Sequence, residues 1–236
     1  MTKFRLAGSG FLIAVSYLIV VVAAGGCKLP EKSGYKHYLT GARYLREEKL
    51  DGAVLELEKA LESGFKEAFV ENDLGVALMK TGRREKAEEH LRTATQKDPA
   101  FSRPFYNLAL LYRQNATYEK ALAAVKEAVK RGMPVPEYYL LQARLEVKLK
   151  KTESAERTLR TAVQKYPGHH SALHDLGVVC VLLGKSGEAE RLLKTATGFT
   201  DTSKTAFFNL GLLYKMGTKP EKPLPPASAE SFLNIA

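Results

Sequence analysis

An all-α fold made of repeated helix pairs is what this 236-residue sequence predicts. Three observations carry that expectation. Five segments place a small residue, a large one at +4 and a small one at +7: Ala53/Leu57/Ala60, Ala87/Leu91/Ala94, Ala121/Val125/Ala128, Ala155/Leu159/Ala162 and Ala189/Leu193/Ala196. Their first members step by 34 every time, and offsets of 4 and 7 fall on one face of a helix. Ahead of each triplet comes a second small residue, Gly41, Gly75, Ala109, Ala143 and Gly177, and the same step continues to Gly211. Between the two series stand turn signals such as "KTGRREKA", "NATYEKA" and "LGKSGEA", while Pro99 and Pro167 close second helices. No segment alternates as a half-buried strand does.

The first element precedes the repeats. The chain opens with Lys3 and Arg5, runs uncharged from Leu6 to Gly26, and reaches the small-residue stretch "AAGGC". A basic end, an apolar middle and small residues before a cut are the layout of a signal sequence. Leu6 to Ala24 as a helix extends about 28 Å, nearly a bilayer core, so length alone leaves an uncleaved anchor open beside cleavage and ordinary secretion. "AAGGC" resembles the lipobox of bacterial lipoproteins, and that resemblance implies a leader over 1–26, acylation at Cys27 and a tether over 27–33. All three readings put the remainder outside the cytoplasm. Six residues, "KLPEKS", reach only about 20 Å when extended, so a lipid on Cys27 holds the repeats close to the membrane.

The repeats follow as units 34–67, 68–101, 102–135, 136–169 and 170–203, with a half unit over 204–217. In each, the small residue of the first helix and the leading alanine of the second are expected where the two backbones approach; a larger side chain there overpacks by about 1–3 kcal/mol. Leu74 and Leu78, then Phe105, Leu108 and Tyr112, then Leu173 and Leu176 fill the space around that contact. The fourth unit departs, with Gln142 and Glu146 where large apolar side chains are expected, which predicts a looser first helix or one covered by a partner. Over 218–236, Pro223, Pro225 and Pro226 preclude a regular second helix. A short capping helix, a disordered tail and a truncated reading frame all remain open for that segment.

With its period and its segment "RPFYNLALLYRQNATYEKALAAVKEAV", the chain resembles the tetratricopeptide repeat. "FFNLGLLYKMG", from Phe207, matches the first helix of a sixth unit. The resemblance implies an all-α solenoid, five full units plus a half, whose first helices line a concave peptide-binding groove. Carried onto this chain, the groove takes Tyr38 and Arg46 from the first unit and Phe69, Asn72, Met79 and Lys80 from the second. Arg103, Tyr106, Leu110 and Arg113 follow, then Arg144 and Lys148, then His174 and Val178, and Phe208 in the half unit. Its middle is basic and aromatic, which suits an extended or helical peptide with acidic residues. The lysine and asparagine placements of the carboxylate clamp of chaperone-tail binders are absent.

Chemistry finds no constellation. There is no phosphate-binding glycine loop, no HExxH and no serine nucleophile in context. His170 and His174 stand one helical turn apart, a metal-compatible spacing that also fits ordinary positions of the fifth unit. Cys180 occupies a slot for a large apolar group, as a buried thiol. With Cys27 acylated, no intramolecular disulfide is possible. The net charge of +10 fits lysine- and arginine-rich solvated helix faces, with an acidic partner or surface as the alternative. Neither an enzyme nor a cofactor is expected, and the partner is a protein or peptide rather than a nucleic acid or small molecule. The architecture resembles the repeat lipoproteins that assist type IV pilus or tight-adherence assembly, which implies a periplasm-facing outer-membrane scaffold. A client holder in cytochrome c maturation and a regulator of a cell-wall enzyme are the alternatives.

Overall fold

In the computed structural model, which describes residues 32–131 and 134–198, ten helices and no strand are present among the described residues. They are α1 (Lys32–Arg46), α2 (Leu50–Glu62), α3 (Ala68–Lys80), α4 (Arg84–Lys97), α5 (Ser102–Gln114), α6 (Tyr118–Lys130), α7 (Pro136–Lys148), α8 (Thr152–Lys165), α9 (His170–Leu182) and α10 (Ser186–Thr197). The chain divides after Lys66. The first part holds the pair α1/α2, and the second holds α3/α4, α5/α6, α7/α8 and α9/α10. None of the described helices is long and apolar enough to cross a membrane. Cys27, the leader, Phe208 and the proline-rich tail lie outside the described residues.

The turn inside every pair is built the same way. The backbone N–H of Lys49, Arg83, Thr117, Lys151 and Lys185 donates to the carbonyl five residues earlier, on Tyr44, Leu78, Tyr112, Glu146 and Cys180. This is the Schellman closure of a helix, and it needs a left-handed residue just before the donor. That residue is Glu48 (φ 57°), Gly82 (φ 79°), Ala116 (φ 54°), Lys150 (φ 60°) and Gly184 (φ 73°), again at intervals of 34. Glycine stands at only two of the five, so three turns keep a conformation that costs an L-residue about 1–2 kcal/mol.

Packing explains the small residues and corrects one expectation about them. A Cβ on Gly41, Gly75 or Gly177 would lie 2.7, 2.7 or 2.9 Å from the Cγ of Leu57, Leu91 or Leu193. The small residue of the first helix thus faces the large +4 residue of the second, with the leading alanine beside it: the carbonyl of Ala87 is 3.3 Å from the same point at Gly75. Leu57, Leu91, Val125, Leu159 and Leu193 are all fully buried or nearly so. Each fills the notch its partner leaves, and burial of such a side chain is worth about 1.5–3 kcal/mol.

Two pairs add a polar lock. In α1/α2, Nδ1 of His37 lies 2.7 Å from a carboxylate oxygen of Glu56, and in α3/α4, Nδ1 of His90 lies 2.8 Å from Glu71. Positions 37 and 71 correspond, as do 56 and 90, so the second pair carries the same contact with its two residues exchanged. Glu71 is buried and also accepts from Nζ of Lys97. Burial opposes its ionisation, but the His90 and Lys97 hydrogen bonds prevail and hold the carboxyl below its usual range.

The fourth unit is not loose. Glu146 is 1% exposed, and its carboxylate accepts from Nε2 of Gln142 (3.0 Å) and Oγ1 of Thr158 (2.8 Å). Gln142 also donates to Thr158 at 3.1 Å, so the three side chains close a triangle across α7 and α8. A satisfied buried network replaces the apolar contact that the repeat pattern predicts there.

Candidate functional site

Within residues 67–198, the first helices of the pairs supply the candidate groove. The helices α3 and α5 pack side by side, as do α7 and α9. Between α5 and α7 the rings of Tyr106 and Tyr138 stack, with centroids 4.7 Å apart and planes at 26°. Tyr138 is buried, and its hydroxyl lies 3.4 Å from Oγ of Ser102. Tyr106 remains half-buried, followed along the same stripe of α5 by Leu110 and Arg113, both half-buried too. Burial pushes the Tyr106 phenol up, Glu137 adds to that, and Arg113 and Arg144 pull against it.

The groove residues expected from the repeat pattern divide by burial. Phe69 is 36% exposed, Met79 is half-buried, and Lys80 and Arg103 are exposed, Arg103 with its guanidinium 6.0 Å from the centre of the Phe101 ring. Nζ of Lys148 sits 5.3 Å from the centre of the Tyr118 ring. In the first part of the chain, Tyr38 packs with Tyr35 and Phe65 in an aromatic cluster, and Arg46 is exposed.

Three expected groove residues are instead structural. Asn72 is 1% exposed and accepts from Nδ2 of Asn107 at 2.8 Å, which ties α3 to α5. Val178 is 2% exposed, in a core cluster with Leu140, Val147 and Val181. His174 is buried, with Nδ1 3.1 Å from Asp175. Where a first helix packs closely on its neighbour, the inward positions become the seam between units.

Arg144 is committed as well. Its Nε donates to Oδ2 of Asp175 at 2.8 Å, and Asp175 is 1% exposed. Removing the arginine would leave a buried carboxylate with only the His174 contact, so Arg144 joins α7 to α9 before it does anything else. The periodic pattern hid this bond, as it hid Tyr106 on Tyr138, because neither pair occupies corresponding positions of successive units.

A second polar cluster lies across α8, α9 and α10. The ligand atoms of Glu156, Cys180 and Glu188 fall within 4.8 Å of one another. Glu156 already accepts from Arg160 (2.7 Å) and Lys185 (2.6 Å), and Glu188 from Arg160 (2.9 Å). Burial, with Glu188 and Glu156 nearby, pushes the Cys180 thiol up to about 12. A thiol held protonated beside two carboxylates that already have cations makes a poor ligand set.

The family model described as tetratricopeptide repeat matches residues 72–136 and 140–203. Among curated proteins, the chain is 28% identical over 102 residues to the TPR repeat-containing protein YpiA of Bacillus subtilis, covering 43% of this chain and 24% of that one. It is 28% identical over 170 residues to the protein O-mannosyl-transferase TMTC3 of Homo sapiens, covering 68% of this chain and 18% of that one. The chain thus spans a quarter or less of the length of these relatives. Among solved structures, PilF of Pseudomonas aeruginosa matches with a TM-score of 0.67 at 18% identity, over 88% of this chain and 93% of that one. YrrB, a TPR protein with an unusual peptide-binding site, matches with a TM-score of 0.60 at 21% identity, over 75% of this chain and 91% of that one. At these identities the likeness is one of fold.

Proposed function

The chain belongs to the tetratricopeptide repeat family, and from that premise we propose that it is a membrane-tethered scaffold outside the cytoplasm that captures a protein segment along its first helices. The fold supports protein–protein interaction in general; the groove, the tether and the compartment are our reading. The observation that carries the groove is the half-buried stripe Tyr106, Leu110 and Arg113 on α5, next to the Tyr138 stack. Apolar and cationic groups left partly open along one face suit an extended segment that supplies the missing contacts.

The tether rests on "AAGGC" and its Cys27. A pilus or secretin assembly role is our reading of the tethered repeat architecture; the likeness to PilF is one of fold. The relationship to TMTC3 brings no transferase activity to this chain, since the match covers 18% of that protein.

A photo-crosslinking amino acid at Leu110, compared with one at exposed Lys126 of α6, tests the groove in cells. We expect a discrete crosslinked species from Leu110 and none from Lys126; equal yields at both would remove the groove from the reading. Cys27→Ser should abolish acyl labelling and leave the leader attached. Unchanged labelling would end the tether proposal.

A further inference from the structure

Charge pairing among the described residues singles out one side chain. Five cationic residues are half-buried: Lys59, Arg113, Arg131, Arg144 and Lys148. Four have partners: Lys59 pairs with Glu56 at 2.8 Å, Arg131 with Glu127 at 2.7 Å, Arg144 with Asp175 at 2.8 Å, and Lys148 sits over the Tyr118 ring. No carboxylate of the described residues lies within ion-pair distance of Arg113. A half-buried arginine with no acid beside it leaves its fork of donors available to an incoming anion.

The surroundings narrow the kind of anion. A planar fork of donors matches a carboxylate through two parallel bonds. A single open arginine differs from the arginine clusters that hold phosphate groups. Leu110 lies one turn before Arg113 on the same stripe of α5, and both are half-buried, so an acid bound there would have an apolar neighbour. The stripe continues past Arg113 to Leu110 and Tyr106, which fits an acidic side chain inside a continuing segment better than a chain terminus.

We propose that Arg113 reads an aspartate or glutamate side chain within an extended partner segment, seated beside the stacked Tyr106 and Tyr138 rings, while Arg144 acts only as a positioning residue through Asp175. This rests on the groove reading above and gives it a chemical preference. It also assigns unequal roles to two arginines that look alike in the sequence.

The test uses the full chain and oriented peptide pools, degenerate at the flanking positions and fixed at the centre as Glu, Asp, Gln or Lys, with a fifth pool whose free C-terminus is the fixed acid. The Glu and Asp pools should be retained about tenfold better than the Gln pool. Arg113→Gln should erase that difference at an unchanged helical melt, and Arg113→Lys should restore part of it. Equal retention of the Glu and Gln pools, a preference for the C-terminal pool, no saturable retention of any acidic pool, or a preference that survives Arg113→Gln would each overturn the proposal. The groove reading stands or falls separately, by crosslinking at Leu110.

Discussion

Replacing Lys150 by glycine should stabilise the protein, although no contact is gained. Lys150 and Ala116 hold the left-handed residue of two Schellman turns at φ 60° and 54°, and both side chains are exposed. The conformation costs an L-residue about 1–2 kcal/mol. Glycine removes that cost but widens the unfolded ensemble by up to about 1 kcal/mol, which leaves a net gain of about 0.5–1 kcal/mol for each site. The reverse changes, Gly82→Ala and Gly184→Ala, should lose a similar amount. A Cβ at either glycine meets nothing within 4 Å, so the penalty there is purely conformational. Urea titrations followed by circular dichroism provide the measurement, read as shifts in midpoint because repeat arrays can melt in stages. Sites 34 residues apart share no partner, so Ala116→Gly and Lys150→Gly should add. A midpoint unmoved or lowered by Lys150→Gly, together with a neutral Gly82→Ala, would refute the reasoning.

Three further outcomes are expected. Arg144→Gln should cost up to about 3 kcal/mol in a thermal melt by leaving buried Asp175 with only its His174 contact, whereas Arg113→Gln should leave the melt unchanged. Thr158→Val should cost about 1–3 kcal/mol by removing a donor from Glu146, and the triple change Gln142→Leu, Glu146→Leu and Thr158→Val should recover most of it. Because Glu71 is held below its usual 4.5, its contribution is present above that pH and is lost as pH falls through the lower folded value; Glu71→Gln should flatten the acid limb of the stability curve. A Glu71→Gln curve that falls as steeply as the parent would contradict that assignment.

Much of this was legible in the sequence wherever each unit repeats its neighbour. Gly41, Gly75 and Gly177, the alanine triplets and the turn segments all report contacts inside one helix pair, and their spacing alone places them. Contacts between pairs obey no such rule. Asn72 with Asn107, Arg144 with Asp175 and Tyr106 with Tyr138 join residues separated by 35, 31 and 32 positions, so aligning the units does not bring them together. That is why Asn72 and Arg144 passed for free groove residues. Glu146 went astray for another reason: the pattern asked for an apolar side chain, and only the joint presence of Gln142 and Thr158 explains the acid. Thr158 corresponds to Glu56 and His90, so this position between the helices already carried polar groups in two other units.

The exchanged histidine and glutamate of the first two pairs bear on how a newly made chain sorts its helices. Sequences this alike invite an error in which α1 joins α4, or α3 joins α2. The first mistake would set His37 against His90, and the second Glu71 against Glu56. Only the native pairings set acid against imidazole, so the exchange adds a polar criterion to a hydrophobic pattern that the two pairs share.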